Sequence, residues 1–341
     1  MSYSDTSDTD VLVRREGGLL HLTLNRPKVI NALTAQMVAT LEAALDDAAQ
    51  DPSVQAVYLD GAGERGFCAG GDITMTVSAP REVLLAFWEH EYRLNLKISR
   101  FPKPYVAVMD GITMGGGIGV AAHANTRVVT ERSRLALPEV RIGFIPDVGG
   151  SLLLARAPGE LGAHLGLTAG DMNGADALLC GFADVYIASE TLPRLRAALA
   201  ADPGNASAVV QRFSEPAPAS RLAEQREWID ACYSADTVEE IIARLQARPE
   251  PEAQRAAELI GQMSPTSVVT ALAALRRARE LDDLEAVLGM ELRIGNHLID
   301  TPDMKEGVRA QIVDKDRNPR WQPSTVGDVD TGWLDGTLQR T

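Results

Sequence analysis

Near the start of the chain, short apolar runs alternate with an amphipathic helix, and this alternation constrains the fold more than any other feature. Residues 19–24 and 54–60 are apolar runs of strand length. Between them, residues 34–50 place apolar side chains at helical spacing, and Thr34 can cap the helix that they predict. Because the strand runs are almost continuously apolar, we expect an α/β fold whose sheet is covered by helices on both faces.

The rest of the chain divides by its local pattern. Further strand candidates are residues 105–109, 126–130 and 185–187, and the strand signal fades after residue 189. Residues 202–220 hold three prolines and a glycine, which predicts an irregular connection, and helical patterns follow it. We therefore predict a flexible tail at 1–10, an α/β core at 11–205, a helical region at 206–323 and a surface tail at 324–341.

The composition excludes several classes of protein. The 341 residues include 45% hydrophobic and 23% charged residues, which is the balance of a globular protein. A net charge of −14 repels the phosphates of nucleic acids, so we expect no nucleic-acid partner. No apolar run approaches the roughly 18 residues of a membrane span, and no signal peptide is recognisable, so we expect a cytoplasmic protein without a membrane partner. The three cysteines lie far apart, which predicts reduced thiols and no metal site.

Two glycine-rich segments are candidates for binding an anion through the backbone. Residues 111–119 follow a strand candidate and precede small apolar residues, so this junction can direct backbone N–H groups at a ligand. Residues 66–73 follow the strand that ends near residue 60 and can supply another exposed N–H. Either segment taken alone is equally compatible with a tight turn or a surface loop without a ligand.

A third segment, residues 137–150, sets Glu139 and Asp147 among prolines, glycines and apolar side chains. A carboxylate held in an apolar loop has a raised pKa and can act as a base or a nucleophile. The alternative is that both are ordinary loop acids and that Asp147 caps a following helix.

These segments, in this order and together with residues 25–33, resemble the crotonase superfamily. The resemblance implies a spiral of ββα units with a helical C-terminal region, assembled as a homo-oligomer, either a trimer or a hexamer. It also implies that the two glycine turns form an oxyanion hole for the carbonyl of an acyl-coenzyme A thioester, through the N–H groups of Ala69 and Gly116.

Within that superfamily, the chain is most similar to the 3-hydroxyisobutyryl-CoA hydrolases, from about residue 11 to residue 323. The motifs that carry this similarity are residues 67–73, 91–95, 111–119, 146–150, 306–310, 314–316 and 321–323. Carried over by position, it implies that Glu139 and Asp147 are the catalytic acids. It implies substrate contacts at Glu91 and Gly116, and we extend these to Gly70, Gly71, Asp72 and Lys28. For Glu91 the alternative is a solvated helix acid.

One position separates the possible chemistries. Enoyl-CoA hydratases of this superfamily carry a second glutamate three residues after the middle glycine of the cluster, where this chain has Gly119. Adding water to a double bond needs two such groups, whereas a thioester loses its thiolate without strong acid assistance. We therefore expect a hydrolase of valine catabolism that needs no cofactor, since coenzyme A is part of the substrate. An enoyl-CoA hydratase or isomerase, or a binder of coenzyme A without turnover, is the alternative.

Two further expectations concern neighbours of these segments. Ile145 stands where the hydrolases commonly carry an aromatic residue, which leaves the preference for the acyl chain open. Cys68 lies next to the first glycine turn, but no histidine or cation near it in sequence can lower the pKa of its thiol. We therefore expect Cys68 to pack as a small side chain and not to act as the nucleophile.

Overall fold

A computed structural model of the chain describes residues 9–74 and 79–339. Of the tail predicted at residues 1–10, residues 1–8 lie outside the described residues. The strands are β1 (Val11–Glu16), β2 (Leu19–Leu24), β3 (Ala56–Gly61), β4 (Gly66–Cys68), β5 (Tyr105–Met109), β6 (Ile112–Met114), β7 (Thr126–Val129), β8 (Arg134–Ala136), β9 (Asp171–Asn173) and β10 (Val185–Tyr186).

Helices take up most of the remaining chain, so the prediction of a mixed α/β fold is confirmed. They are α1 (Ala35–Gln50), α2 (Arg81–Ser99), α3 (Gly116–Ala121), α4 (Gly150–Arg156), α5 (Leu161–Thr168), α6 (Gly174–Leu179), α7 (Leu192–Ala201), α8 (Ala206–Gln211), α9 (Arg221–Tyr233), α10 (Val238–Gln246), α11 (Pro251–Gln262), α12 (Pro265–Leu281), α13 (Leu284–Leu298), α14 (Pro302–Val308) and α15 (Leu334–Gln339).

The chain forms two compact units. The first comprises residues 9–72 with His90–Leu135 and Met172–Ser220, and the second comprises the remaining described residues. The predicted core at 11–205 is therefore divided between the two units: residues 73–74, 79–89 and 136–171 belong to the second unit, and the first unit extends beyond residue 205 to Ser220. The reason is that β9 and β10 return to the sheets of the first unit, and α7 and α8 cover one of them.

The first unit is built on a six-stranded sheet in the order β1-β2-β3-β5-β7-β10, in which β1 pairs antiparallel and the other pairs are parallel. A second sheet has the order β4-β6-β8-β9. Alternate residues of the larger sheet, such as Leu19 and Val106, pack against Leu195 and Val209 of α7 and α8. The intervening residues are also buried, as expected for parallel strands with both faces covered.

The local signals of α1 were accurate. The Thr34 side chain accepts a hydrogen bond from the Met37 N–H at 3.2 Å, which is the predicted N-cap. The buried residues of this helix fall at the predicted helical spacing. By contrast, the predicted irregular connection at 202–220 contains a 3-10 turn at Pro203–Asn205 followed by α8, because apolar residues of α8 join the core of the first unit.

The second unit is helical around α12, which contacts α4, α5 and α13. Ser264 caps α12, accepting a hydrogen bond from the Ser267 N–H at 3.1 Å. The predicted surface tail at 324–341 contains α15, which packs on α13 and buries Leu334. Among the described residues, no helix combines the length and the apolar character that crossing a membrane requires.

Candidate active site

The first glycine turn, residues 67–72, is held by backbone hydrogen bonds of the first unit. The Leu33 N–H donates to the Gly70 carbonyl and the Asp72 N–H donates to the Leu33 carbonyl, each at 2.8 Å. The fully buried Asn31 side chain donates to the carbonyls of Ala62 and Phe67 at 3.0 and 2.9 Å. Contacts to main-chain atoms therefore fix the backbone conformation of this turn.

The structure corrects the predicted donor at Ala69. The Ala69 N–H donates to the Ile30 carbonyl at 2.8 Å, so it is already used inside the fold. Gly71 lies opposite Leu33 in an isolated parallel β-bridge. The two hydrogen bonds of this bridge are made by the Gly70 carbonyl and the Asp72 N–H. Because successive N–H groups of an extended segment point to opposite sides, the Gly71 N–H faces away from Leu33. Gly71 therefore replaces Ala69 as the candidate donor of this turn.

Gly116, the other predicted donor, lies beside Gly71. It is the first residue of α3, whose opening N–H groups have no acceptor within the helix. The backbone nitrogen of Gly71 lies 3.2 Å from the place that a Cβ of Gly116 would take. Gly70, at a φ of 106°, sits against the carbonyl of Met114 in the second glycine turn. The structure thus brings the two glycine turns of the first unit together, as expected, with Gly71 and Gly116 as the paired backbone groups.

Glu91 lies against this pair and is not a solvated helix acid. Its side chain on α2 is only 2% exposed. A Cβ on Gly116 would overlap the Glu91 Oε1 atom. The glycine at position 116 is therefore required by the close approach of a buried carboxylate, and a contact between Glu91 and the substrate stays a prediction.

Cys68 is buried under the same turn. Its thiol donates to the Asn31 carbonyl at 3.2 Å, and a Cβ on Gly117 would overlap the Cys68 side chain. Burial, with a smaller contribution from the Glu91 charge, raises the pKa of the thiol to about 12. A thiol of this kind is not ionised near neutral pH, which supports the expectation that Cys68 packs and does not attack.

The predicted contacts at Lys28 and Asp72 have different surroundings. The Asp72 carboxylate accepts from Arg26 at 3.1 Å, and Arg26 also donates to the Ala32 carbonyl, so both charges secure the turn. Arg65 donates to the carbonyls of Pro27 and Lys28 at 2.8 and 2.6 Å. The Lys28 side chain itself is exposed. Arg26 is thus engaged within the fold, so Lys28 remains the candidate cation for a contact with a phosphate of coenzyme A.

The second unit supplies the two predicted acids on one segment, residues 138–151. Glu139 begins a 3-10 turn, Glu139–Ile142, and is 8% exposed. Gly143 ends that turn at a φ of 77°, and a side chain there would overlap the backbone of Asp303. The Glu139 turn is therefore packed tightly against the start of α14, which fixes the backbone that carries the carboxylate.

Asp147 lies at the strained end of the same segment and is 6% exposed. Val148 has a φ of 55°, a left-handed conformation that is unfavourable for a β-branched residue, and Gly149 follows with a φ of 78°. The Gly150 N–H donates to the Asp147 carbonyl at 2.6 Å and closes the turn. Asp147 is not the N-cap residue of α4, because that position is held by Gly149, which has no side chain.

The carboxylate at the start of α4 comes instead from Glu291 on α13, a residue that sequence reasoning missed. Its Oε2 accepts from the Gly149 N–H at 2.7 Å and its Oε1 accepts from the Ser151 N–H at 2.9 Å. Glu291 is fully buried. Burial, and next the charge of Asp147, raise its pKa to about 8. The only signal in the sequence was an acid at a position where helical spacing requires an apolar residue.

Within the described ranges 9–74 and 79–339, no three histidine, cysteine, aspartate or glutamate side chains are grouped as metal ligands. The chemistry that the described groups offer is that of backbone N–H donors in the first unit and buried carboxylates in the second. Such groups suit a reaction in which a carboxylate activates water or itself attacks a carbonyl carbon, and backbone N–H groups stabilise the oxyanion that forms.

Comparison with known proteins identifies the family of the chain. The family model described as Enoyl-CoA hydratase/isomerase matches residues 19–338. The mitochondrial 3-hydroxyisobutyryl-CoA hydrolase of Gallus gallus is 37% identical over 98% of this chain and 89% of its own length. The human protein of the same name is also 37% identical, over 96% of this chain and 88% of its own length.

Two solved structures are similar along almost the whole chain. A carnitinyl-CoA dehydratase from Mycobacterium thermoresistibile superimposes with a TM-score of 0.93 and 48% identity, covering 98% of this chain and 97% of its own. An enoyl-CoA hydratase from Rhodobacter sphaeroides has a TM-score of 0.91 and 39% identity, with 97% of each chain covered. The chain is thus an enzyme of the enoyl-CoA hydratase/isomerase family, and the resemblance to the crotonase superfamily is confirmed.

Proposed function

We propose that this enzyme hydrolyses the coenzyme A thioester of a short 3-hydroxy acid, with 3-hydroxyisobutyryl-CoA as the substrate. The observation that carries the proposal is Gly119, in the buried helix α3, at the position where hydratases of the superfamily have a second glutamate. The curated relatives named 3-hydroxyisobutyryl-CoA hydrolase support the same choice. With one acid fewer than hydration requires, thioester hydrolysis is the reaction that these residues suit best.

In the proposed mechanism, the N–H groups of Gly71 and Gly116 stabilise the oxyanion that forms when the thioester carbonyl is attacked. Each such donor is worth about 3 kcal/mol of transition-state stabilisation. Glu139 either takes a proton from the attacking water or attacks the carbonyl carbon itself. In both routes the C–S bond breaks and coenzyme A leaves as a thiolate, which needs no strong acid. If Glu139 attacks directly, the acyl group is left on its carboxylate as an anhydride, which water then hydrolyses to release the acid and regenerate Glu139.

Asp147 has one of two roles in this scheme. It orients the water, or it accepts a hydrogen bond from the 3-hydroxyl of the substrate. The reaction as proposed uses no metal and no cofactor beyond the coenzyme A of the substrate. A cytoplasmic location and a homo-oligomeric assembly remain predictions, and the curated relatives are named as mitochondrial.

The second candidate is hydration or dehydration of an acyl-CoA. It is favoured by the names of the two similar structures, which are a dehydratase and a hydratase, and by the description of the family model. The two candidates differ in the bond that breaks. Hydrolysis releases a thiol, whereas hydration consumes a double bond and keeps the thioester.

The deciding experiment incubates the purified protein separately with 3-hydroxyisobutyryl-CoA and with crotonyl-CoA. A thiol reagent measures free coenzyme A, and ultraviolet absorbance measures the enoyl thioester. We expect thiol release from 3-hydroxyisobutyryl-CoA. Loss of enoyl absorbance without thiol release would instead establish a hydratase, and binding without either change would establish a protein that only binds coenzyme A.

A further inference from the structure

We propose that Glu291 is the positioning residue of Asp147, since it fixes the strained Asp147 turn by accepting hydrogen bonds from the backbone N–H groups of Gly149 and Ser151. This inference rests on the role of Asp147 in the proposed function. It adds a residue on α13, more than a hundred positions further along the chain, that acts on the reaction only through Asp147.

The geometry of the contact is that of a bidentate clamp. The two oxygens of Glu291 accept from the N–H groups of Gly149 and Ser151, at 2.7 and 2.9 Å. These groups are the N-cap and an opening N–H of α4, which have no partner within the helix itself. A buried helix start needs such an acceptor, and the local sequence provides none, because Gly149 has no side chain.

The clamp stabilises a backbone conformation that the residues of this turn would not favour by themselves. Val148 and Gly149 are both left-handed, which turns the chain sharply between Asp147 and α4. The Ser151 hydroxyl donates to the Pro146 carbonyl at 3.0 Å, and this hydrogen bond also stabilises the turn. Because strained backbone persists only where its surroundings fix it, loss of the clamp should let the Asp147 side chain move.

The electrostatics around Glu291 are dominated by Asp147. Burial and the Asp147 charge favour the protonated form of Glu291 below about pH 8. Arginines on the elements that pack against α13 form ion pairs with other acids: Arg156 with Asp282, Arg276 and Arg279 with Glu160, and Arg277 with Glu280. On α13 itself, Arg293 donates to the Thr337 carbonyl and His297 stacks on Trp333. Because these arginines pair with other acids, burial and the Asp147 charge remain the main influences on the Glu291 carboxyl, and both favour its uncharged form.

The first experiment is a double-mutant cycle on the full-length enzyme. Glu291→Gln keeps the size of the side chain but offers an acceptor to only one of the two N–H groups. We expect kcat/KM at neutral pH to fall by roughly 10- to 100-fold, as for a reacting group displaced by about 1 Å. In an Asp147→Asn background the same change should cause no further fall. The matched control is Glu285→Gln, the same substitution at an exposed position of α13, which should leave kcat/KM unchanged.

The pH profile separates positioning from a purely structural role. As the pH rises through about 8, Glu291 ionises and places a second negative charge beside Asp147. We expect kcat/KM of the wild type to fall on this alkaline side, and we expect that fall to be absent in Glu291→Gln. A folded Glu291→Gln enzyme with wild-type kcat/KM, or a loss that simply adds to that of Asp147→Asn, would overturn the proposal.

A second measurement needs neither activity nor the Glu291 variant. In protein labelled with carbon-13 at the glutamate carboxyls, one resonance should titrate near pH 8, and Asp147→Asn should lower its midpoint. If no glutamate titrates above about pH 6, or if Asp147→Asn leaves the midpoint unchanged, the coupling is absent and the inference is wrong. If the coupling is present but the wild type releases no thiol, the proposed function fails instead.

Discussion

The glycine turns of the first unit and the acidic segment of the second unit are fixed by different kinds of contact. The turn at Gly70 and Gly71 is held mainly by backbone hydrogen bonds to Leu33, and its charged contact, between Arg26 and Asp72, lies at the end of the turn. The turn at Asp147 is held by the carboxyl group of Glu291. We therefore expect the activity to depend on side-chain size in the glycine turns, and the activity and stability to depend on charge and pH in the acidic segment.

The largest effect is expected in the acidic segment. Glu139→Gln keeps the size and most of the hydrogen bonding of the side chain but can neither attack nor accept a proton. We expect kcat for thioester hydrolysis to fall by a factor of about 10² or more while binding of coenzyme A survives. Steady-state kinetics and a direct binding measurement check the two parts. Wild-type kcat in this variant would remove Glu139 from the chemistry.

The corresponding change in the glycine turns adds a single methyl group. Gly116→Ala puts its Cβ onto the Glu91 carboxylate, so either the backbone N–H or the acid must move. We expect kcat/KM to fall by about 10²-fold, the cost of one misplaced oxyanion donor. The matched control is Gly261→Ala on α11, where a Cβ meets nothing within 4 Å. Equal activity of both variants would contradict the assignment of Gly116.

The charge sensitivity of the acidic segment should appear in the stability. Folded Glu291 has a pKa of about 8, raised from its ordinary value of 4.5, so the folded state holds an extra proton between these values. Its contribution to the free energy of unfolding therefore falls as the pH rises from 4.5 to 8, by about 4 kcal/mol in all. Glu291→Gln lacks this titration. We expect its Tm, relative to the wild type, to increase steadily from about pH 5 to pH 8.

An acid of the first unit supplies the contrast for this measurement. Burial raises the pKa of Glu42, but hydrogen bonds from His90, Lys97 and Arg93 outweigh it and lower the pKa to about 2. Glu42 is thus ionised in both states from about pH 6 to pH 8, so its own titration adds no pH dependence to Tm there, unlike that of Glu291. A Tm difference for Glu291→Gln that stays constant over this range would mean that the two acids do not differ.

A smaller effect is expected at the exposed edge of the first unit. Lys28→Glu reverses the charge of a cation that we place near the phosphate end of coenzyme A, so KM should rise by about 10-fold at low salt with little change in kcat. Added salt should reduce the difference, because screening weakens interactions between exposed charges. An unchanged KM at low salt would show that Lys28 does not contact the substrate.

The smallest effect is expected at Cys68, directly beneath the first glycine turn. Its buried thiol has a pKa of about 12 and is not a nucleophile at neutral pH. Cys68→Ala removes one sulfur atom and should leave kcat within about 2-fold, at some cost in Tm from the small cavity. Complete loss of activity with a native circular dichroism spectrum would restore Cys68 as a catalytic candidate.

The sequence by itself determined the class of fold and the segments that carry the chemistry. Strong local signals were sufficient for this: apolar runs gave β2 and β5 with the observed bounds, and Thr34 marked the start of α1. The three-residue strands β4, β6 and β8 were not predicted, since they hold too few residues to show a period. The clustered glycines and the acids Glu139 and Asp147 were recognised because each segment is continuous in the chain.

Only the tertiary structure decided which backbone N–H groups of those segments are available to a ligand and which distant residues stabilise them. The sequence named Ala69 as a donor, but the Ile30 carbonyl already takes its N–H, and the pairing with Leu33 turns the Gly71 N–H outward instead. The direction of a backbone N–H depends on its pairing partner and not on its residue type. Glu291 could not be found for the same reason: a buried acid takes its role from groups that are distant in sequence, and no local pattern specifies them.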